Sequence, residues 1–393
     1  MPPAKPKMPA ICNENDILRR IVRAFSARRQ PHIPPHILVG MGDDAALLEI
    51  PSASTIAISS DAFLEGVHFL PRLHSPESVG YKCLARAVSD LAAMGARPHS
   101  FLLALALPPE FTGKWLRKFL AGLRRSADTF QIALIGGDTS RYPSIMVQVT
   151  VVGVVSRPIA SRPAHARKIA SRQIRSPGLG ILRSGARPGD SIFVTGRLGA
   201  AELGLHLIPN WPGRPLTKPT ERHPLLSAHM FPRPPVELAV RLAAAGIPSA
   251  MMDISDGLST DLTRLCKASR VGARVEIARL PTVRIPRIPQ AQERDPIELA
   301  LHGGEDYGLL FTVPTERLAR LARLAQQLRP SPSNRARHLK SHSGGSTPWE
   351  KITCIGETNR GGKIETVDAD GHTQPLLPGG WDPFVTACPP ARK

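Results

Sequence analysis

The chain has 393 residues, more than a single hydrophobic core ordinarily accommodates, so its length predicts two domains. Hydrophobic residues make up 42% of it, enough for packed cores, and its best candidate for a membrane span, residues 144–155, is shorter than the roughly 18 residues such a helix requires. The formal net charge of +19 suggests a nucleic-acid-binding protein, but three segments contribute 13 of these charges.

The first half of the chain alternates predicted helices and strands. Residues 14–25 place apolar side chains four apart, which is typical of a short amphipathic helix, and residues 76–95 form a longer helix that ends at Gly95. A third helix is predicted over 111–128. Strands are predicted at 37–39, 45–50, 55–60, 99–108, 132–137 and 144–155. This interleaving indicates a mixed α/β domain over residues 14–156.

The second half repeats this alternation over residues 185–385. Helices are predicted at 199–207, 236–245 and 257–269, and strands before Asp253, near 272–277, at 307–313 and in the segment KITCIGET. The three basic segments, 157–180, 206–235 and 326–349, are rich in Pro, Ser and Arg and lack apolar periodicity, so we predict long solvated loops. The first of them belongs to a predicted linker at 157–184, which separates two α/β domains.

The positive charge is concentrated in those loops, and the rest of the chain is only mildly basic. We therefore interpret the three segments as insertions and do not expect nucleic acid to be a partner. The alternative is a non-enzymatic protein that binds RNA or another protein through these loops. That alternative predicts loss of function when residues 157–180 are deleted.

The cysteine pattern indicates a reducing compartment. The five cysteines are far apart, without a CxxC pair and without a nearby pair of histidines, which argues against disulfides and against a zinc site. The first 15 residues contain two lysines but no apolar segment, so they do not match a secretory signal. These observations predict a cytoplasmic protein with no membrane association.

Aspartates recur at the ends of apolar runs in this sequence. The positions are Asp43 and Asp44 before AALL, and Asp61, Asp138, Asp253 and Asp256 after strand-like runs. Asp90 lies instead within the helix 76–95, at the margin of its apolar stripe. Any one aspartate could cap a helix or form a turn, but this many at strand ends beside glycines indicate a shared site. Oxygen ligands gathered without His or Cys suit Mg²⁺ rather than zinc.

The same segments hold features suited to phosphate binding. Glycines in GGDTS and HGGEDYG allow the backbone to approach a phosphate closely. The segment DISDGLSTDL places a serine and two aspartates at a helix N-terminus, where free N–H groups favour phosphate. The sequence has no Gly-x4-Gly-Lys-Ser/Thr motif and no protein-kinase loops. Together these patterns predict a Mg-nucleotide site of another type.

Eight motifs, in order, give the chain a resemblance to a known family. They are GDDAALL, ISSDAFLEGVHF, GYKCLARAVSDLAAMGARP, LIGGDTSR, LRSGARPGD, DISDGLSTDL, LHGGEDYGLLF and GGWDPF. Over residues 14 to 385 they resemble thiamine-monophosphate kinase, a family of the aminoimidazole ribonucleotide synthetase-like superfamily. The resemblance implies an α/β (α+β) fold of two domains, with an N-terminal sheet that pairs across a homodimer and with ATP and Mg²⁺ between the domains.

The resemblance also implies roles for particular residues. Those implied to bind several Mg²⁺ ions are Asp44, Ser59, Ser60, Asp61, Asp90, Asp138, Asp253 and Asp256. Those implied to bind ATP are Asp138, Arg183 and Ser255, and those implied to bind the substrate, thiamine monophosphate, are His68, Glu305 and Trp381. Asp43 is expected to serve the turn or to lie behind Asp44.

The implied reaction transfers the γ-phosphoryl group of ATP to thiamine monophosphate, giving thiamine diphosphate and ADP. Both reactants are polyanions, so several Mg²⁺ ions and Arg183 would offset the repulsion between them. Because a phosphate acceptor is already ionised at neutral pH, no residue is predicted to act as a general base.

Alternatives remain open for four of these motif residues. His68 could be a packed strand residue, Trp381 could anchor the C-terminal segment, and Glu305 and Asp306 could cap a turn. The sequence does not decide between the structural and the functional role, because each residue type is common in both.

Two departures from the family pattern and a set of superfamily relatives also bear on the assignment. Ser60 stands where the family commonly has Thr, which preserves the hydroxyl group. Gly308 stands where an acidic residue is usual, and this second departure leaves the geometry of the substrate pocket open. An aminoimidazole ribonucleotide synthetase, a selenophosphate synthetase or a hydrogenase-maturation protein is the alternative within the superfamily. The segments GGEDYGL and GGWDPF favour the thiamine branch.

Overall fold

The fold is divided between two units. The computed structural model describes residues 14–25, 37–39, 41, 46–49, 54–156, 180–208, 223–287, 289–328 and 351–382. Unit 1 comprises Met1–Pro51, Ile58–Ala87 and Pro98–Val152, and unit 2 comprises Ser52–Ala57, Val88–Arg97 and Gly153–Lys393. Most of the basic sequence predicted to form loops lies outside the described residues.

Alternating apolar residues build a four-stranded sheet in the first half of the chain. The strands there are β1 (Ile37–Val39), β2 (Leu47–Leu48), β3 (Ser54–Leu64), β4 (Arg97–Leu107), β5 (Ala133–Arg141) and β6 (Met146–Ser156). The sheet order is β3-β6-β4-β5, with β4 parallel to β5, and β1 and β2 form a separate antiparallel pair. Leu103 and Leu105 are buried while Leu102 is exposed, so one face of the sheet is covered and the other is open.

Three helices accompany that sheet in sequence. They are α1 (Glu14–Ala24), α2 (Pro76–Ala93) and α3 (Lys114–Phe130), close to the predicted bounds. From Ser78 to Ala93, helix α2 is buried at every position except Arg86 and Asp90, which are partly exposed. These two residues are four apart and therefore share one face of the helix.

Unit 2 is built on a seven-stranded sheet. Its strands are β7 (Ser191–Thr195), β8 (Ala250–Ile254), β9 (Gly272–Glu276), β10 (Gly308–Val313), β11 (Ile352–Asn359), β12 (Ile364–Val367) and β13 (Thr373–Pro375). The order is β13-β12-β9-β11-β7-β10-β8, antiparallel except where β12 runs parallel to β9. Leu309 of β10 lies opposite Asp253 of β8, so a predicted metal ligand sits inside the ladder.

Helices cover both faces of this second sheet. They are α4 (Ala200–Leu207), α5 (Pro224–Met230), α6 (Val236–Ala244), α7 (Leu258–Ser269), α8 (Pro289–Gln292), α9 (Pro296–His302) and α10 (Leu318–Gln327). Leu310 packs in one hydrophobic cluster with Leu262, while its neighbours Leu309 and Phe311 pack in another with Leu238. Adjacent residues of β10 therefore point into two cores, as expected of a sheet covered on both sides. Across the described parts of the chain, no helix has the length and apolar character needed to cross a bilayer.

The prediction of one solvated loop over 206–235 is wrong in its second part. Residues 223–235 are described, and they contain helix α5, with Leu225, Leu226 and Met230 buried. A helix of seven residues is too short to display apolar periodicity, and the prolines around it suggested a loop. Residues 209–222 of the segment lie outside the described residues.

Gly308 begins strand β10 and is buried there. A Cβ atom at this position would lie 2.7 Å from the carbonyl oxygen of Thr195, closer than such contacts allow. Thr195 also accepts a hydrogen bond at Oγ1 from the Leu309 N–H at 2.8 Å. Gly308 is therefore fitted to the close approach of β7 and β10, and an acidic residue would need the strands to shift.

Candidate active site

A pair of acidic side chains lies near the end of strand β8 in unit 2. Asp253 is almost fully buried, and its Oδ2 accepts a hydrogen bond from Ser89 Oγ at 2.8 Å. Burial, with the negative charge of Asp90 as the second cause, raises the pKa of Asp253 to about 7 against the opposing hydrogen bond from Ser89. The positive charge of Arg183 opposes the rise more weakly. The fold therefore brings both Asp90 and Arg183 into electrostatic range of Asp253.

A buried carboxylate that the sequence analysis did not single out shapes the loop after β8. Asp261 lies in the first turn of α7, and its Oδ2 accepts hydrogen bonds from the N–H groups of Ser255 and Asp256, both at 3.0 Å. Burial raises the pKa of Asp261 to about 6, while these hydrogen bonds and Arg264 oppose the rise. The loop that carries predicted ATP and metal ligands is thus held by a side chain behind it.

Arg264 links the acidic groups of this loop. Its Nη1 donates to Asp261 Oδ1 at 2.8 Å and also to Asp256 Oδ2. The carboxylate of Asp256 therefore already has a cationic partner in this structure. A metal ion at Asp256 would share that carboxylate with Arg264 or replace the arginine there.

The C-terminal segment that carries Trp381 is bound to the start of helix α7. The N–H of Trp381 donates to the carbonyl oxygen of Asp256 at 3.0 Å, and the N–H groups of the two preceding glycines donate to hydroxyl groups of α7. A Cβ atom on Gly380 would lie only 1.7 Å from the Asp256 carbonyl oxygen. The GGW segment therefore places Trp381 beside the loop of Ser255 and Asp256 because position 380 lacks a side chain.

Replacing Gly380 with alanine is expected to push this segment off helix α7. The new methyl group would overlap backbone, so we expect a loss of about 1 to 3 kcal/mol in the free energy of unfolding. Gly361→Ala is the matched control, because its Cβ would meet nothing closer than 3.6 Å and its backbone is not left-handed. Thermal unfolding checks this. Equal melting temperatures for the two variants would contradict the close contact between Gly380 and the backbone of Asp256.

The loop before β10 holds Glu305 in an uncommon conformation. Its φ is +65°, and its N–H donates to the carbonyl oxygen of Ser255 at 2.7 Å. Its Oε2 lies 3.2 Å from Nδ1 of the buried His229 on helix α5. Glu305, like Trp381, thus lies against the loop after β8, so predicted substrate and ATP residues meet within unit 2.

The neighbouring Asp306 is a capping residue for another helix. Its two carboxylate oxygens accept hydrogen bonds from the N–H groups of Gly199, at 2.6 Å, and Ala201, at 3.1 Å, where helix α4 begins. Burial raises the pKa of Asp306 to about 7, and these N–H donors oppose the rise. Asp306 therefore has a structural role, but it caps the start of helix α4 rather than a turn.

In unit 1, the predicted metal ligand Asp61 lies near an arginine. Side chains alternate along β3, so Ser59, Asp61 and Phe63 share one face. Arg86 Nη2 is 3.9 Å from Asp61 Oδ1, and the guanidinium lies over the Phe63 ring at 5.3 Å from its centroid. This cation near Asp61 was not anticipated from the sequence.

Ser60 lies on the opposite, exposed face of strand β3. Its Oγ is 2.8 Å from Thr150 Oγ1 and accepts a hydrogen bond from Gln148 Nε2 at 3.1 Å. The Ser60 hydroxyl is therefore directed away from the side chains of Ser59 and Asp61. Its role as a metal ligand stays a prediction.

Two further predicted residues of unit 1 are described, His68 and Asp138. His68 Nδ1 accepts a hydrogen bond from the Leu64 N–H at 3.0 Å, and its ring stacks on Phe63 at 5.5 Å. When neutral, His68 therefore carries its proton on Nε2. Asp138 is exposed on β5, opposite Ala104 of β4.

Asp43 and Asp44 lie outside the described residues, so their predicted roles are untested. Elsewhere in the described chain, Asp368, Asp370 and His372 form an exposed cluster between β12 and β13. Asp368 Oδ1 accepts hydrogen bonds from the N–H groups of Asp370 and His372. These bonds identify that cluster as an ordinary turn.

Comparison with known proteins then gives the family. Residues 42–155 match the family model for AIR synthase related protein, N-terminal domain, and residues 187–330 match AIR synthase related protein, C-terminal domain. The chain is 38% identical over 294 residues to the thiamine-monophosphate kinase of Salmonella typhimurium, covering 75% of this chain and 81% of that protein. The chain belongs to the thiamine-monophosphate kinase family.

Solved structures of thiamine-monophosphate kinases have the same fold. The enzyme from Stenotrophomonas maltophilia aligns with a TM-score of 0.67 at 31% identity, over 87% of this chain and 95% of that chain. AaThiL complexed with AMPPCP and TMP aligns with a TM-score of 0.62 at 28% identity, over 94% and 96%. The predicted family and the α/β fold class are therefore confirmed.

Four side chains that contact predicted metal, ATP or substrate residues were not among the predicted site residues. They are Arg86, His229, Asp261 and Arg264. For Asp261 and Arg264 a signal existed, because residues three apart on a helix lie side by side and can pair. For His229 no local signal existed, since its partner Glu305 is distant in sequence.

Proposed function

We propose that this protein transfers the γ-phosphoryl group of ATP to the phosphate of thiamine monophosphate, forming thiamine diphosphate and ADP. One observation carries the proposal: Glu305 and Trp381 both bond through their N–H groups to the loop of Ser255 and Asp256. Predicted acceptor and nucleotide residues are thereby adjacent in a chain of the thiamine-monophosphate kinase family. The AaThiL relative was solved with both AMPPCP and TMP bound.

Mg²⁺ fits the donor set of the proposed site. Asp253 is buried beside Asp90, and oxygen ligands of this kind suit a hard dication. The proposed ligands are Asp44, Ser59, Ser60, Asp61, Asp90, Asp138, Asp253 and Asp256. When bound, Mg²⁺ supplies positive charge to phosphate oxygens and offsets the repulsion between two polyanions.

The residues of unit 2 would bind and orient the two reactants. Ser255 and Arg183 would contact ATP. The side chain of Arg183 is exposed, so packing does not prevent its guanidinium from reaching the phosphates. Glu305 and Trp381 would hold the acceptor, the tryptophan by packing on its aromatic part. We assign no general base, because the acceptor phosphate is ionised at neutral pH. Catalysis would then rest on positioning and charge.

Residues of unit 1 have proposed roles of their own. His68 would contact thiamine phosphate through Nε2–H, since Nδ1 already accepts the Leu64 N–H. Asp138 would act at the nucleotide, and its exposure on β5 leaves the carboxylate accessible. Arg86 would orient Asp61 by charge from the covered side of the sheet.

We also propose a homodimer formed through the open face of the four-stranded sheet. Ile58, Leu102 and Met146 are 68%, 38% and 40% exposed on its strands, an apolar surface that water solvates poorly. Because the opposite face is buried by its own unit, a second copy of this sheet is the matching partner.

Leu102→Glu is expected to shift the protein from dimer to monomer, because a charge in a buried interface costs several kcal/mol. Leu205→Glu is the control, since Leu205 is 37% exposed on helix α4 of the other unit. Size-exclusion chromatography with light scattering checks this. A Leu102→Glu protein that remains dimeric would contradict the proposed face.

The cytoplasm is the proposed location. The ATP requirement supports it, as do the free thiols of Cys83, Cys266 and Cys354 among the described residues.

The domain bounds 14–156 and 185–385, joined by the linker 157–184, also remain a proposal. We assign nucleic acid no part in the reaction.

The decisive experiment is a direct assay of the purified protein with ATP, MgCl₂ and thiamine monophosphate. Thiamine diphosphate, separated by chromatography, is the expected product. No product over a wide range of Mg²⁺ concentration would refute the proposal. Deleting residues 157–180 tests the alternative of RNA or partner binding, which predicts loss of function, whereas the kinase proposal predicts retained turnover.

A further inference from the structure

Helix α5 buries a histidine against the carboxylate of Glu305. His229 is 1% exposed, and its Nδ1 lies 3.2 Å from Glu305 Oε2. An ionised carboxylate only accepts hydrogen bonds, so Nδ1 carries the proton and donates to Oε2. The bond fixes one oxygen of Glu305, and the Glu305 side chain is 25% exposed, so its carboxylate is not sealed in the core.

Close packing of two helices brings His229 within reach. A Cβ atom on Gly204 of α4 would lie 2.2 Å from the Leu225 carbonyl oxygen and 3.1 Å from His229 Cβ. Helix α5 can therefore rest on α4 only because residue 204 has no side chain. Leu226 and Met230 are buried on the same short helix, so the position of His229 is well determined.

The backbone of the partner loop is also constrained. Glu305 and Tyr307 both have positive φ, +65° and +49°, at a cost of about 1 to 3 kcal/mol each for residues with side chains. Their N–H groups bond to the carbonyl oxygens of Ser255 and Ile254 at 2.7 and 2.8 Å. A strained conformation held from both backbone and side chain is typical of a residue whose direction matters.

We propose that His229 is a positioning residue that directs the Glu305 carboxylate towards the organic part of thiamine monophosphate. This inference rests on the proposed function. Thiamine carries a thiazolium cation and an aminopyrimidine with N–H donors, and a fixed carboxylate suits both. His229 acts on the side chain of Glu305, whereas Ser255 is bonded to the backbone N–H of Glu305. The influence of His229 should therefore fall on the acceptor substrate.

Three variants test the role by steady-state kinetics. His229→Leu removes the donor at similar volume and is expected to raise KM for thiamine monophosphate about tenfold or more, equal to about 1.4 kcal/mol, with KM for ATP unchanged within about twofold. His229→Asn places an amide N–H near the position of Nδ1 and should recover most of the affinity. His206→Leu is the control, since His206 pairs with Glu202 at 3.0 Å on helix α4.

A double-mutant cycle separates positioning from general packing. In a Glu305→Ala background, His229→Leu should add less than about twofold to KM, because the histidine acts through the carboxylate. Additive effects, or an equal rise in both KM values, would overturn the proposal. If His229→Leu does not fold, His229→Asn and His229→Gln are compared instead. Asparagine places its amide near the position of Nδ1, which faces Glu305, whereas glutamine places its amide near the position of Nε2. Asparagine must then outperform glutamine, and equal KM values would overturn the role.

The same measurements distinguish this inference from the proposed function. Wild-type protein that forms no thiamine diphosphate would refute the proposed function. Wild-type turnover together with an unchanged KM in His229→Leu would refute only the positioning role.

Discussion

Replacing Asp253 with asparagine is expected to lower kcat/KM for thiamine monophosphate by about a thousandfold or more, a loss of about 4 kcal/mol in transition-state stabilisation. Asparagine keeps an acceptor for the Ser89 hydroxyl but removes the charge proposed to hold Mg²⁺. Chromatography of thiamine diphosphate at fixed Mg-ATP concentration measures the effect.

The fold should survive this change. The pKa of Asp253 is raised by burial and by Asp90, so its charged form is costly in the metal-free protein, and the neutral variant should melt at the same or a higher temperature near pH 8. Asp128→Asn, at an exposed aspartate that pairs with Arg124, should retain full activity. More than about a tenth of wild-type activity in Asp253→Asn would contradict the ligand role.

The affinity for Mg²⁺ is expected to rise with pH, by about tenfold per pH unit below pH 7, and to level off above it. The pKa of Asp253 is about 7 in the folded protein, so below pH 7 a proton occupies the carboxylate and a metal ion must displace it. Calorimetric titration with Mg²⁺ at pH 6, 7 and 8 measures this directly.

The stability of the metal-free protein should change in the opposite sense. A carboxyl group with a raised pKa contributes stability that is complete below its ordinary pKa of about 3.9 and is lost as the pH rises through 7. Added Mg²⁺ should therefore raise the melting temperature more at pH 8 than at pH 6. Asp253→Asn should abolish this difference, and a pH dependence that survives in the variant would place its source elsewhere.

Local pattern predicted the strand ends and the acidic residues, because both depend on neighbours in sequence. The run that ends at Asp253 is short and continuously apolar, as in a strand buried on both faces, and Gly257 after it indicates a loop. The hydrogen bond from Ser89 to Asp253 joins residues 164 apart, and no local pattern carries that information. Family motifs supplied the missing connection for Asp90 and Asp253, which composition alone did not.

Three features, helix α5, the position of Arg86 and the role of Gly308, were not predicted, each for a different physical reason. Helix α5 is brief and follows a proline-rich basic segment, so its buried face gave no periodic signal. Arg86 appeared to be an ordinary helix residue until strand β3 placed Asp61 and Phe63 beside it. Gly308 appeared to be a change in the substrate pocket, whereas the sheet shows that it is fitted to the backbone of Thr195.

The left-handed backbone conformation of Glu305 lowers the stability of the fold, and its side chain is the part proposed to serve activity. Glycine adopts this conformation without steric cost, so Glu305→Gly would relieve backbone strain of about 1 kcal/mol. The same change would delete the carboxylate that pairs with His229 and that we place against the acceptor. Removing the partner of the buried His229 costs about 1 to 3 kcal/mol, so the side chain of Glu305 offsets the strain of its own backbone. Selection in an organism that must make thiamine diphosphate would retain the strained glutamate.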